Sequence, residues 1–253
     1  MRKIFWRLWQ INWAEQWQYR ANLIMYLFYW LVSPIVFLSV WRSVAAAQGT
    51  VSGLTANDFT VYYLLLLLVS QITREITIHI LEYKIQDGTL SNELLLPVHP
   101  ILTSALVYNL AFKALTFLGL IPIWIALALL FRADFSAVTL LNVLLALAAA
   151  VGGFAINFYL GTIITCVAFW TTRVYSLSDF IYGFVMILGG TFVPLSLLPP
   201  FAQAIAQALP FQLLIYFPIQ LALGKLSPEQ VLVNFGLQVF WLAATALGFR
   251  WIW

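Results

Sequence analysis

Apolar residues fill this chain in blocks too long for a soluble core. Residues 23–41, 59–80, 101–131, 137–170, 176–193 and 230–250 are each apolar nearly throughout, and about 20 such residues carry a helix across the ~30 Å of hydrocarbon in a bilayer. The pattern predicts an all-α integral membrane protein with six transmembrane helices. The third and fourth blocks exceed the length needed, so they tilt or project beyond the bilayer, and Lys113 in the third is placed to snorkel to the nearer surface. Between Gly189 and Gly224 the chain stays apolar but is cut by Pro194, Pro199, Pro200, Pro210 and Pro218. The arm 201–209 reaches only about 14 Å at ~1.5 Å per residue. A re-entrant helical hairpin over 194–224 is therefore expected before the last span. Irregular backbone at membrane depth persists only where protein or a water-filled cavity satisfies it, which puts the hairpin at the mouth of a pathway.

Two further elements stand out. In residues 1–20, Phe5, Trp9, Trp13 and Trp17 recur every four positions among Arg2, Lys3, Arg7 and Arg20; this reads as an interfacial helix on the cytoplasmic surface, anchored by Trp at headgroup level and by anionic lipid. Arg74, Glu75, His79, Glu82, Lys84 and Asp87 cluster at the cytoplasmic end of the second helix, followed by Gly88 and the segment 89–97. Gly88 is expected to end a helix, and the short polar and leucine segment before Pro97, with Leu94, Leu95 and Leu96, is expected to form a separate surface helix that needs a partner. Glu75, His79 and Glu82 share a helix face at i, i+4 and i+7. With no second such helix and His99 the one other histidine, no metal site is expected.

Composition narrows the class: 63% hydrophobic, 8% charged and eleven Trp mean a single membrane domain over 1–253, with no nucleic-acid partner despite the net charge of +3. With an even number of crossings, nine Lys and Arg fall on the side of the termini and Arg42, Arg132 and Lys225 on the other. This puts both termini, Asn92 and Thr172 in the cytoplasm, and Gly49, Gly224 and the hairpin outside. Cys166 is expected to be buried, and no cleaved leader is expected. Gly152, Gly153, Asn157 and Gly161 in the fourth block suit close helix packing. No mid-membrane carboxylate marks an ion relay. The chain also lacks H-E-x-x-H, G-x-S-x-G and the phosphate-binding G-x-x-x-x-G-K-[ST], so no enzyme activity is expected and ATP energy would have to come from elsewhere.

The order of a surface helix, two spans, Gly88-x-Leu90 followed by Leu95-x-Pro97, three spans, a proline-broken outer segment and a last span resembles the type-2 permeases of ATP-binding-cassette exporters, in particular the bacterial small-permease subgroup. Gly190, Pro194, Leu198 and Pro199, with Leu209, Pro210 and Phe211, resemble the family's outer segment. The resemblance implies a multi-pass permease subunit of the bacterial inner membrane. It would pair with a second permease subunit, equal or different, and be driven by cytoplasmic ATPase subunits that bind ATP and Mg, with no cofactor on this chain. It further implies a coupling segment comprising Asp87, Gly88, Leu90, Glu93, Leu94, Leu95 and Pro97, an outer gate comprising Gly190, Pro194, Pro199, Pro210 and Phe211, and a pathway lined by Tyr62, Tyr63 and Gln71 on the second helix with Tyr182, Phe184 and Thr191 on the fifth. An aromatic, charge-poor pathway suits a hydrophobic or amphipathic cargo. The alternative is a channel or secondary carrier for such a solute that works without ATP. The chain ends at Trp253 without the basic tail that the resemblance leads one to expect.

Overall fold

The computed structural model describes residues 2–171 and 173–253, apart from the side chains of Arg2 and Ser104. Met1, and Thr172 with its expected cytoplasmic placement, lie outside the described residues. Every regular element among those described is helical: α1 (Arg2–Gln18), α2 (Arg20–Gln48), α3 (Ala56–Thr73), α4 (Thr77–Gln86), α5 (Leu90–Leu94), a π-helical turn (Ile101–Leu106) leading into α6 (Val107–Leu130), α7 (Leu140–Cys166), α8 (Ala168–Thr171), α9 (Tyr175–Leu188), a 3-10 turn (Leu195–Leu197), α10 (Pro200–Ala208), α11 (Phe211–Leu214), α12 (Tyr216–Ala222) and α13 (Pro228–Ile252).

Five stretches are long and apolar enough to cross a membrane: Arg20–Gln48, Ala56–Gln86, Ile101–Leu130, Leu140–Thr171 and Pro228–Ile252. The block 176–193, expected to be a sixth, yields only the 14 residues of α9, about 21 Å of helix. It stops at Leu188 because the chain turns at Gly189 and at Gly190, whose φ of 87° is open to glycine at little cost. The block 59–80 is not one helix either, since the backbone of Arg74 is extended (φ −61°, ψ 143°) and separates α3 from α4.

Helix α7 is the hub, touching α13, α12, α3, α4 and α11, while α2 lies on α3 and α1 on α6. Large apolar side chains from these helices fill the centre, with Phe59, Tyr63, Leu66, Ile156, Phe217 and Ile219 all buried. Much of the outer surface is apolar too, including Phe28, Leu129, Leu140 and Leu232, as lipid contact requires. At one end the loops are tied by polar contacts: Lys225 Nζ to Asp58 Oδ1 at 2.6 Å, the paired backbone and amide bonds of Asn57 and Asp134 at 3.0 and 3.2 Å, and Arg42 over the Phe131 ring. At the other end Trp253 stacks near His99 and Phe169.

Helix α1 forms as the aromatic spacing predicts, with Phe5, Trp9 and Trp13 stacked at 6.2 and 6.1 Å. Trp17 leaves the stripe and is exposed, whereas Gln16 is buried. A four-residue step advances 400° on a 100° helix, so the stripe drifts by about 40° each time and has rotated off the face by its fourth member.

The start of α3 is fixed by a reciprocal cap: the Thr55 hydroxyl accepts from the Asp58 N–H, and Asp58 Oδ2 accepts from the Thr55 N–H at 2.9 Å. Ser227 and Gln230 build the same box at the start of α13. Thr55→Ala is expected to cost about 1 kcal/mol, the usual loss for an N-cap. Thermal unfolding in detergent would report it, and Asp58→Ala, which also removes the partner of Lys225, should cost more.

Candidate functional site

The candidate coupling segment divides into an anchor and a free face. Asp87 ends α4, its carboxylate accepts from the Thr89 hydroxyl at 2.7 Å and the Thr89 N–H at 3.0 Å, and these bonds hold its pKa below the ordinary aspartate value. Gly88 follows with φ 78°, the left-handed residue expected of a helix stop. Leu90 is buried against Leu81, Ile101, Ala105 and Phe158, and Glu93 pairs with Lys84. Leu94, Leu95, Leu96 and Pro97 are exposed, Leu95 to 85%. Leu94 at the end of this pinned five-residue helix, with Leu95 and Leu96 just beyond it, forms an exposed apolar surface.

Above it lies the break between α3 and α4, whose freed backbone groups are taken up by side chains from two helices, α6 and α7. Asn109 of α6 accepts from the Ile76 N–H at 3.0 Å and donates to Thr77 Oγ1 at 3.3 Å. Asn157 of α7 donates to the Thr73 carbonyl at 2.9 Å. Lys113 of α6 donates to the carbonyls of Ile72 and Arg74 and lies 3.7 Å from the centroid of Phe154. Lys113 therefore turns inward and does not snorkel. Glu75 accepts from the Thr77 N–H at 2.7 Å, and its carboxylate rests on α7 at Gly161, where any side chain would collide with it. The Arg74 guanidinium stacks over Trp30 of α2, 3.4 Å from the ring centroid.

This geometry removes the shared face of Glu75, His79 and Glu82. Glu75 lies in the break and not on α4, His79 is exposed beside Tyr175, and Glu82 accepts from the Val174 N–H at 2.9 Å. No group of three metal-ligating side chains occurs among the described residues.

The candidate pathway residues separate into two sets. Tyr62, Tyr63 and Gln71 are buried. The Tyr62 hydroxyl donates to the Gly190 carbonyl at 2.6 Å, the Tyr63 hydroxyl to the Phe192 carbonyl at 2.9 Å, and Gln71 to Thr116. Tyr182 and Phe184 are exposed on α9, with Tyr182 against Trp30 and Phe184 stacked on Phe211, and Thr191 is half-buried. The candidate gate residues fall at element boundaries: Gly190 in the turn after α9, Pro194 before the 3-10 turn, Pro199 capping α10 and Pro210 capping α11. Trp41 of α2 also donates to the Phe192 carbonyl at 3.3 Å.

Sequence reasoning missed Asn109, Trp30 and the helix break itself, and it assigned Asn157 to general packing. The available signal was polar side chains, Asn109, Lys113 and Asn157, inside otherwise apolar blocks that neighbour the Arg74-Glu75 pair.

A family model described as ABC-2 family transporter protein matches residues 20–253. Comparison with curated proteins and with solved structures gives no match.

Because Asn109 satisfies the first N–H beyond the break, Asn109→Leu should lower stability by about 1–3 kcal/mol, the cost of a stranded buried donor. Tyr62→Phe removes one neutral hydrogen bond and should cost about 1 kcal/mol. Thermal unfolding in detergent measures both, and a parent-like melt for Asn109→Leu would contradict the assignment.

Proposed function

The chain belongs to the ABC-2 family of transporter proteins, the membrane component that associates with ABC ATPase subunits, and from this we propose that it is one permease half of an ATP-driven exporter. It forms the substrate pathway with a second permease subunit, equal or different, in the bacterial inner membrane. Both termini and α5 face the cytoplasm, where separate subunits bind ATP and Mg. Helix α9 is proposed as a short fifth crossing, completed at its outer end by a re-entrant hairpin of α10, α11 and α12, which gives six spans with one below full length.

The observation that carries the reading is mechanical continuity from one end of the molecule to the other. Leu90 and the Lys84–Glu93 pair fix α5 to α4; Glu82 of α4 holds the Val174 N–H at the start of α9; and Tyr62 and Tyr63 of α3 hold the backbone at Gly190 and Phe192, where α9 leads into the hairpin. A push on α5 as two ATPase subunits close would thus reach α9 directly and the hairpin through α3, with the break at 74–76 as the joint. Tyr182, Phe184 and Thr191 are the residues proposed to meet cargo, and Tyr62, Tyr63 and Gln71 are proposed to be ties within the subunit. The exposed aromatic face of α9 supports a hydrophobic or amphipathic cargo.

Replacing Leu94 and Leu95 together by Asp should strip the ATPase subunits from the purified complex. Retention should fall about a hundredfold or more, since an unpaired charge in a buried interface costs ~3–5 kcal/mol. Pro199→Ala with Pro210→Ala should keep the ATPase but reduce transport, because both prolines stand at helix starts where the chain breaks, and alanine would let helix run through positions where proline in a helix interior would cost about 3 kcal/mol. Transport by the chain alone in proteoliposomes, with no ATPase present, would favour a carrier or channel and overturn the exporter.

For topology, cysteines at Gly49 and Gly224 should react with an impermeant thiol reagent applied to intact cells, and a cysteine at Asn92 should react only after lysis. The reverse pattern would invert the molecule and move the hairpin to the cytoplasm.

A further inference from the structure

We infer that Arg74 anchors the phosphate headgroup of an amphipathic molecule that approaches between α2 and α9. This rests on the permease reading for its setting in the inner leaflet, and on the charge balance of the helix break for its chemistry. Three charged side chains meet there. Glu75 faces Lys113, receives the Thr77 N–H and rests on Gly161. Lys113 spends its ammonium on two backbone carbonyls and the Phe154 ring. Arg74 is left as a surplus cation: the titratable groups that face it are Tyr182, Tyr26, Tyr29 and the like-charged Lys113, and no described carboxylate lies within ion-pair distance of it.

Its depth makes the surplus informative. Arg74 lies 16 residues beyond Asp58, about 24 Å along the helix from the polar rim where Asp58 holds Lys225. A guanidinium inside the hydrocarbon region is costly without a counter-ion and marks a functional site by default. The site is also open: Arg74 is half-buried, and its neighbours Tyr29 and Tyr182 are exposed on the outside of the chain, next to Phe180 and Phe184. An arriving anion meets a planar fork of N–H donors stacked on Trp30, with phenol hydroxyls around it. That arrangement suits a group with several acceptor oxygens, and phosphate is the common one in a membrane. The aromatic surface of α9 beside it receives the tail. A carboxylate from a second subunit would supply two oxygens from a side chain already tied to its own helix, a poorer match to this ring of donors.

Spin-labelled phosphatidic acid, compared with spin-labelled phosphatidylcholine, tests this on the complex purified with its ATPase in neutral detergent. The immobilised fraction should favour phosphatidic acid. Arg74→Gln should weaken that preference about ten- to hundredfold, as loss of a charge-assisted hydrogen-bonded pair does, and Arg74→Lys should restore part of it. Should Arg74→Gln fail to fold, Tyr29→Phe with Tyr182→Phe provides a milder variant, expected to weaken binding several-fold. Release of the probe when the ATPase is trapped with nucleotide identifies the site as a cargo site, and retention identifies a resident lipid; both outcomes support it. Arg74-dependent binding to a chain that carries no ATPase would keep the site and discard the permease reading. Unchanged binding in Arg74→Gln overturns the inference. If that variant also sheds the second subunit, the true counter-ion is a carboxylate across the interface.

Discussion

A backbone inside a membrane must satisfy its own hydrogen bonds, and the second membrane stretch of this protein breaks that rule at residues 74–76. Water cannot repair the damage at such depth, where each stranded polar group costs several kcal/mol. The repair comes from Asn109, Lys113 and Asn157, which carry hydrogen bonds to the backbone of Ile72, Thr73, Arg74 and Ile76. Three long helices are thereby locked in register around one break. The packing of α3, α6 and α7, and the seat of Glu75 on Gly161, follow from that requirement.

The same break gives the membrane stretch two segments that need not move together. Helix α4 is joined to α5 and to the start of α9, and α3 is joined to the turn at Gly190 and Phe192. A continuous helix would transmit a displacement as a rod. A helix interrupted by hydrogen-bonded side chains can bend at one place while both arms stay rigid, which is how hinged elements in transport proteins work. The charges support this division of labour: the exposed Asp58–Lys225 pair fastens the outer rim at little energetic weight, whereas the charges at the break are held by carbonyls, a backbone N–H and aromatic faces.

Much of the fold was legible in the sequence because hydropathy is a local property. The long blocks became helices, Gly88 ended α4, and Pro194, Pro199, Pro200 and Pro210 stand where the 194–224 segment is cut into short arms. Pro218 instead lies in the first turn of α12, which a helix tolerates, and the break before it falls at Ile215. The block 176–193 was overread, since its apolar residues continue past Gly189 and Gly190 while the helix does not. The break was invisible for a physical reason: Arg74-Glu75-Ile76-Thr77 contains neither Pro nor Gly, and its extended backbone is stabilised by Asn109 and Asn157, which lie 33 and 84 residues from the groups they bind. Tyr62 and Tyr63 were legible as important aromatics but not as ties, because their partners at Gly190 and Phe192 are more than a hundred residues away. Leu94 to Pro97, expected from the sequence to stand free beyond a helix stop, are exposed.

The central claim is that α5 is where an ATPase subunit pushes, and a photo-crosslinking amino acid at Leu95 in the complex from native membranes tests it most directly. Leu232, also strongly exposed but near the start of α13, at the end where Lys225 pairs with Asp58, is the reference position. The account predicts that Leu95 crosslinks to the ATPase and that Leu232 does not. An intact complex in which Leu95 yields no crosslink to the ATPase while Leu232 does would contradict it.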